Sequence, residues 1–390
     1  MMMTTIARII LREWKRIFTL PVHYWVLIVM PPLLFFLYAF IYQNQKADHL
    51  SMAVWDEDHS SVSRQMLFLL QQTETMSFTR TVNSLQELEQ LIQRGEILGA
   101  VHFPRNMETD IKSRHPVNVV VYTNAAAVVP AKLIYKEAAQ IIITAGSGVI
   151  LQKFVKTGMN TDKAMALVQP IRLTPYMLYN PSYNYQQYLV PGLITVGLQM
   201  IIIMVGVLLL NYEKKTQTLQ QLYIMARGSS SHIIIGKTIA HLCIAWLNFI
   251  LITCIIFPVF GIGVAAATGK FFVFYTLLTL ACLGIGQLVS ALFSDTMLAT
   301  DIALFYTSPA FVFSGFTFPR WAMPWYDQYY ANVMPYTHFL DGFFKVYYMN
   351  LPLQYAMHEA GLLLLFIACT FSFTIILFQK QLNRLQIVAT

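Results

Sequence analysis

The chain has 390 residues, 56% of them apolar types and 12% charged, where a soluble domain carries roughly 45–50% and about 25%. That balance excludes a purely water-soluble fold, and nothing in the formal charge of +7 points to a nucleic-acid binder. The cysteines Cys243, Cys254, Cys282 and Cys369 all fall inside apolar runs and make neither a disulfide framework nor a CxxC metal signature.

Residues 1–20 interleave Ile6, Ile9, Ile10, Trp14 and Ile17 with Arg8, Arg12, Lys15 and Arg16. This pattern predicts an amphipathic helix lying along the inner leaflet before Pro21 turns the chain into the membrane. A span needs about 20 mostly apolar residues, and the stretches 22–42, 188–210, 238–262, 271–293, 302–318 and 354–378 qualify. The sequence therefore predicts an α-helical polytopic membrane protein with about six transmembrane helices. The first, within 21–42, reads as a retained signal anchor, because its apolar run is too long for a cleaved signal and no small-residue cleavage site follows. The fifth is interrupted by Pro309 and Gly315, which places it against protein rather than lipid.

Lys and Arg set the orientation. With the N-terminus inside, the inner segments hold Arg8, Arg12, Lys15, Arg16, Lys214, Lys215, Arg227, Lys237, Lys380 and Arg384, and the short outer ones only Lys270, Arg320 and Lys345. Both termini, including the tail 379–390, are then expected in the cytoplasm, with residues 43–186 outside a plasma membrane.

The inserted segment 43–186 has ordinary soluble composition. Strands are expected at 52–55, 77–82, 97–103, 117–122 and 171–178, and helices at 63–72, 84–94 and 128–156, with Ser84 capping and Glu87 three residues on. That alternation argues for an extracytoplasmic α/β domain. Asp56, Glu57, Asp58 and His59 form its densest polar cluster. A metal site is conceivable there, but a solvated turn capping the next helix is the preferred reading, since His102 and His115 lack ligand-like spacing with it. No Gly-x-Ser-x-Gly elbow, His-Glu-x-x-His helix or paired carboxylates stand out, so the chain reads as no enzyme.

The next soluble part, 211–237, places Leu219, Leu222 and Tyr223 at i, i+3, i+4 on one face of a short amphipathic helix, about 213–227, ended by Gly228 and serines. That face needs a partner, or a bed of lipid headgroups. Gly236-Lys237-Thr238 is not a phosphate loop, because Ser231 stands where the first glycine is required; no cofactor is expected on this chain. Within the five-helix region 187–378, Gln199, His241, Asn248 and Gln287 are the polar residues of interest. They serve either inter-helix hydrogen bonds or a pathway lining, with Gln199, Asn248 and Gln287 the pathway candidates. Cys282, Gly286, Ser290 and Ser294 give the fourth span a small-residue face for close packing. Asp295 and Asp301 read as helix caps, and no acid sits near the midplane for a proton relay.

These features together resemble the permease subunits of type-2 ABC transporters. The resemblance rests on the linker, with Glu213-Lys-Lys, Thr218-Leu-Gln-Gln-Leu222 and Gly236-Lys237; on the outer series Phe313-Ser-Gly-Phe-Thr-Phe-Pro319, Met323-Pro324 and Met334-Pro-Tyr-Thr337; and on the order of one span, a large insertion, then five spans. Gln220 departs from the family's usual Glu. The resemblance implies a pair of permeases, either two copies or this chain with a sister permease, docked on two separate P-loop ATPase subunits that bind ATP and magnesium. The linker helix would be the coupling helix, with Thr218, Leu219, Leu222 and Tyr223 as contacts and Glu213 and Lys237 at its edges. It further implies that the outer segment, about 319–350, forms short re-entrant helices capping the path around Ser314, Gly315, Pro319, Met323, Pro324 and Pro335. The aromatics Trp321, Trp325, Tyr326, Tyr329 and Tyr330 also fit a plain interfacial belt. The implied activity is outward transport of amphipathic cargo such as drugs, lipids or lipid-linked molecules from a bacterial inner membrane, with a periplasmic adaptor as a further partner. A stand-alone secondary transporter and a membrane sensor with an external ligand-binding domain are the competing readings.

Overall fold

Prolines inside apolar helices dictate much of the packing. The computed structural model describes residues 2–44, 47–113, 115–171, 176, 178–180, 184–262 and 267–389. Contacts divide the chain into one unit of Met1–Gln45 with Leu178–Thr390 and a second, inserted unit, Lys46–Met177.

The inserted unit is an α/β fold. Its sheet has the order β2-β1-β3-β4, from β1 (Leu50–Asp56), β2 (Met76–Thr81), β3 (Gly99–Phe103) and β4 (Val120–Thr123). β1 pairs in parallel with β2 and β3, and β4 runs antiparallel to β3. Strand alternation sends Met52, Val54, Val101 and Phe103 to one face, against Met66, Leu70, Ile134 and Ala138. Ala53 and Ala100 point to the other, against Val82, Leu88 and Ile97. The helices Ser61–Gln71 and Leu85–Gln93 start where Ser60 and Ser84 accept backbone N–H groups. The acidic cluster closes a turn: Asp56 Oδ1 accepts from the N–H groups of Asp58 and His59 at 3.0 Å each, and Oδ2 accepts from Ser63 Oγ at 2.9 Å. The strand expected at 171–178 lies largely outside the described residues.

Six described helices are long and apolar enough to cross a membrane, but the set differs in one member from the expected one. Val128–Lys156 qualifies by length and composition. It nevertheless buries Ala131, Ile134 and Ala138 in the inserted unit and accepts from Thr75 at Glu137, so it is a layer of that α/β fold. The first expected span contains the shorter apolar helix Trp25–Ile41. Helical residues Pro21–Tyr24 precede it, and at 1.5 Å per residue 21–41 covers roughly 31 Å, enough for the hydrocarbon.

In the first unit, the second span Tyr185–Lys215 packs along the fourth, Thr268–Leu292. A Cβ on Gly286 would lie 2.3 Å from Ile203 O, so only glycine permits this approach. Cys282 and Ser290 are buried on the same side, whereas Ser294 lies exposed beyond the helix end and takes no part. Prolines free carbonyls in the spans, and two of those carbonyls find side-chain donors. Pro31 cannot donate to Leu27 O, which accepts instead from Asn248 Nδ2 at 2.7 Å. Pro191 likewise frees Gln187 O, which accepts from the Tyr348 hydroxyl. The fifth span begins earlier than expected, at Thr296, because Asp295 caps it at the N–H groups of Met297 (2.8 Å) and Leu298 (3.4 Å). Asp301 is exposed inside that helix and caps nothing. The break falls after Thr307, and a short turn of helix, Ala310–Phe313, follows Pro309.

Candidate functional site

The linker joins the second span to the third, Ser230–Leu251. After Lys215 the chain turns at Gln217, with φ of 58°, and enters the helix Leu219–Met225. Its apolar face is already covered within this chain: Leu219 and Leu222 are buried with Ile9, Leu210, Ile233, Phe378 and Leu382. This corrects the expectation that those two leucines meet another protein or lipid, since burial withdraws them from the surface. Thr218 and Tyr223 are half-buried, while Gln217, Gln220, Gln221, Ile224 and Arg227 are exposed. The last helix, Met357–Ala389, holds the exit of the linker: Gln379 accepts from Ser230 N at 2.8 Å and donates to Gly228 O at 3.0 Å.

Beneath the linker lies a buried charge cluster. Glu213, fully buried, accepts from Arg12 Nη1 and Nη2 at 2.8 Å each, from Arg16 Nη1 at 3.1 Å and from Lys237 Nζ at 2.9 Å. The Thr218 hydroxyl donates to its second oxygen. Lys237, also fully buried, donates to Glu13 Oε1 at 2.6 Å. Glu213 and Lys237, expected at the edges of the linker helix, are thus bonded directly to each other. The bidentate Arg12 contact is the strong form of such a pair, and it raises the Arg12 guanidinium above its ordinary value. Burial works to raise the Glu13 carboxyl, but the charges of Lys237, His241 and Arg16 outweigh it and hold Glu13 below its ordinary value.

Three members of the cluster, Arg12, Glu13 and Arg16, come from the N-terminal helix Met2–Thr19. From the sequence alone the two arginines read as a charged flank and Glu13 has no assigned role. The signal was there: Ile9, Glu13 and Ile17 recur at i, i+4, i+8 and all are buried, so an acid stands in the middle of an apolar stripe. The stripe faces protein, not lipid as expected. A Cβ on Gly236 would meet Ile9 Cγ2 at 2.8 Å, and Trp14 Nε1 donates to Ala240 O at 3.1 Å. Gly236-Lys237 therefore has a physical meaning: the glycine lets the N-terminal helix approach, and the lysine pairs with the acid that helix carries.

The other expected residues lie apart from this cluster. Asn248 lines a narrow cleft with His241, Tyr275 and Thr279, while its amide answers Leu27. Gln287 donates to Thr238 Oγ1 at 2.9 Å, and Gln199 is buried on the second span. At the other end of the spans, Ser314 and Met323 are buried, Gly315 takes φ of 93°, Pro319 and Pro324 precede short helical turns, and Pro335 opens the helix Pro335–Phe343. Arg320 pairs with Asp341 across this segment, and Tyr336 OH ties it to the second span at Gly192 O, 2.8 Å away. Trp321, Trp325, Tyr326 and Tyr329 are exposed on it.

Comparison with known proteins agrees with this architecture. The family described as ABC-2 family transporter protein matches residues 23–376. The probable multidrug ABC transporter permease YbhR of Escherichia coli K12 is 23% identical over 337 residues, covering 85% of this chain and 86% of that protein. The protein of the same description from Escherichia coli O157:H7 matches with the same identity and coverage.

Proposed function

For a chain that belongs to the ABC-2 family of transporter proteins, we propose the role of the membrane permease subunit of an ATP-driven exporter for amphipathic cargo. The observation that carries this reading is the linker helix itself. It presents Gln217, Gln220, Gln221, Ile224 and Arg227 outward, while its base is fixed by charges from the N-terminal helix and the second and third spans. A push on such a surface moves helices rather than bending a loop. The reading takes the linker, both termini and the charge cluster as cytoplasmic, with 46–177 on the far side of a plasma membrane. Two ATPase subunits, which bind ATP and magnesium, would dock beneath two permeases, a pair of copies or this chain with a sister permease. The E. coli relatives named as multidrug permeases support amphipathic drugs as one cargo class, with lipids or lipid-linked molecules as the other.

The docking contacts then shift from Leu219 and Leu222 to Ile224, Gln220 and Gln221, flanked by Thr218 and Tyr223. Ile224, 70% exposed, is the apolar anchor. The test is to purify the chain with its ATPase, carrying either Ile224→Arg or Leu222→Ala. Ile224→Arg should release the ATPase and abolish ATP-dependent transport while the permease stays folded, and Leu222→Ala should instead lower permease stability. Retention of the ATPase and full transport by Ile224→Arg would sink the coupling assignment.

A further inference from the structure

The charge cluster does not balance. Among the described residues, Arg12, Arg16 and Lys237 meet only the carboxylates of Glu13 and Glu213. Arg16 and Lys237 balance the two buried carboxylates, and the third cation, Arg12, is a quarter exposed, so the cluster as a whole carries one surplus positive charge that a nearby anion would offset. Its location is marked by two donors. Arg16 is nine-tenths buried, and its Nε–H has no partner among the described residues. Arg16 Nη2 lies 3.2 Å from His23 Nε2; a guanidinium can only donate, so that ring nitrogen accepts and a neutral imidazole carries its proton on Nδ1. His23 Nδ1 is likewise buried and without a partner among the described residues.

Both side chains line one groove. Its remaining walls include Val26 and Leu27 of the first apolar helix, Val205 and Leu208 of the second span, and His241, which donates from Nδ1 to Lys237 O at 2.9 Å. The guanidinium carbon lies over the Tyr212 ring, 3.6 Å from its centroid, and His23 meets the same ring edge-on, so both donors are held in place. A surplus positive charge and two fixed donors on the wall of an otherwise mostly apolar groove, at the junction of an amphipathic helix and a span, match an anionic amphiphile. We infer that this groove binds one anionic phospholipid, its phosphate on Arg16 Nε–H and His23 Nδ1–H and one acyl chain along Val26, Leu27, Val205 and Leu208. The inference rests on the membrane fold and is independent of ATPase coupling.

The test uses the full-length chain in detergent and in nanodiscs of phosphatidylglycerol or phosphatidylcholine. Native mass spectrometry should find phosphatidylglycerol retained over phosphatidylcholine, and thermal unfolding should be shifted upward in the anionic discs. Arg16→Gln should cut that preference about tenfold or more, the scale of a lost charge-assisted hydrogen bond. Arg16 also serves the charge cluster, so two further variants keep the test open if that one fails to fold. His23→Phe keeps a ring on Tyr212 and removes a donor, and Leu208→Trp, at a half-buried position, fills the chain groove. Both should lose the preference. Equal retention of the two lipids by the wild type, or an unchanged preference in His23→Phe and Leu208→Trp, would overturn the site. Inorganic phosphate raising the unfolding temperature as far as phosphatidylglycerol does would overturn the lipid as its source.

Discussion

Asn248 Nδ2 donates to Leu27 O across 2.7 Å, to the carbonyl that Pro31 leaves without its helical donor. In a lipid environment such a carbonyl has no water to turn to. Asn248→Leu should therefore destabilise the protein by about 1–3 kcal/mol, the cost of an unanswered buried acceptor. Pro31→Ala returns an N–H to the helix. Added to Asn248→Leu, it should recover part of the loss in thermal unfolding in detergent, and equal unfolding temperatures for the single and double variants would refute the link.

Glu213 and Lys237 make the second case. Glu213→Gln leaves Arg12, Arg16 and Lys237 around the single carboxylate of Glu13, and breaking a buried ion pair from one side costs about 3–5 kcal/mol. Lys237→Met in that background removes one of the stranded cations. The double variant should be more stable than the sum of the singles predicts, by an interaction of about 0.5–3 kcal/mol. Strict additivity would show that the two groups do not share one network.

Much of the architecture was legible because periodicity and punctuation report on local physics. Alternating strands around Met52 and Val101, the Ser84 cap, and the break near Pro309 all follow from the chain's own backbone requirements. The helix Val128–Lys156 matched its expected bounds, since few breakers interrupt it. What hydropathy could not separate was burial in protein from burial in lipid. Leu219 and Leu222 read as a face seeking a partner, and Ile9 and Ile17 as a face for lipid, yet each pair finds its cover inside the chain. The cluster itself was invisible as a unit because its members are distant in sequence: Arg12 and Glu213 are 201 positions apart. Only Glu13, an acid on an apolar stripe, hinted that a buried cation had to come from elsewhere.

That acid also gives the fold a pH dependence. Glu13 is held below its ordinary value of 4.5, so the folded state prefers the ionised carboxyl more than the unfolded chain does. The stability this adds is fully present above about 4.5 and is lost as pH falls below it through the depressed folded value. Glu13→Gln should lower stability at neutral pH and flatten its decline between about pH 5 and pH 3. Unfolding temperatures of the two proteins across that range would settle the matter; parallel curves would remove Glu13 as the origin.

The approach of the N-terminal helix to the third span depends on Gly236. A Cβ there would sit 2.8 Å from Ile9 Cγ2 and 2.9 Å from Ile9 Cβ, closer than van der Waals contact allows. The rest of that helix cannot simply step back, because Glu13 is bound to Lys237 one residue further along the same span. Gly236→Ala should therefore cost about 1–3 kcal/mol through overpacking, and it should weaken the Glu13–Lys237 pair along with the contact. Ile9→Ala on its own opens a void beside Leu222 and the linker helix and is expected to destabilise. Combined with Gly236→Ala, it removes the 2.8 Å contact with Cγ2 but keeps the Ile9-position Cβ 2.9 Å away, so the double variant should recover only part of the overpacking loss and still be more stable than the two losses added together. A double variant as unstable as the sum would mean that Ile9 and Gly236 do not touch in the folded protein.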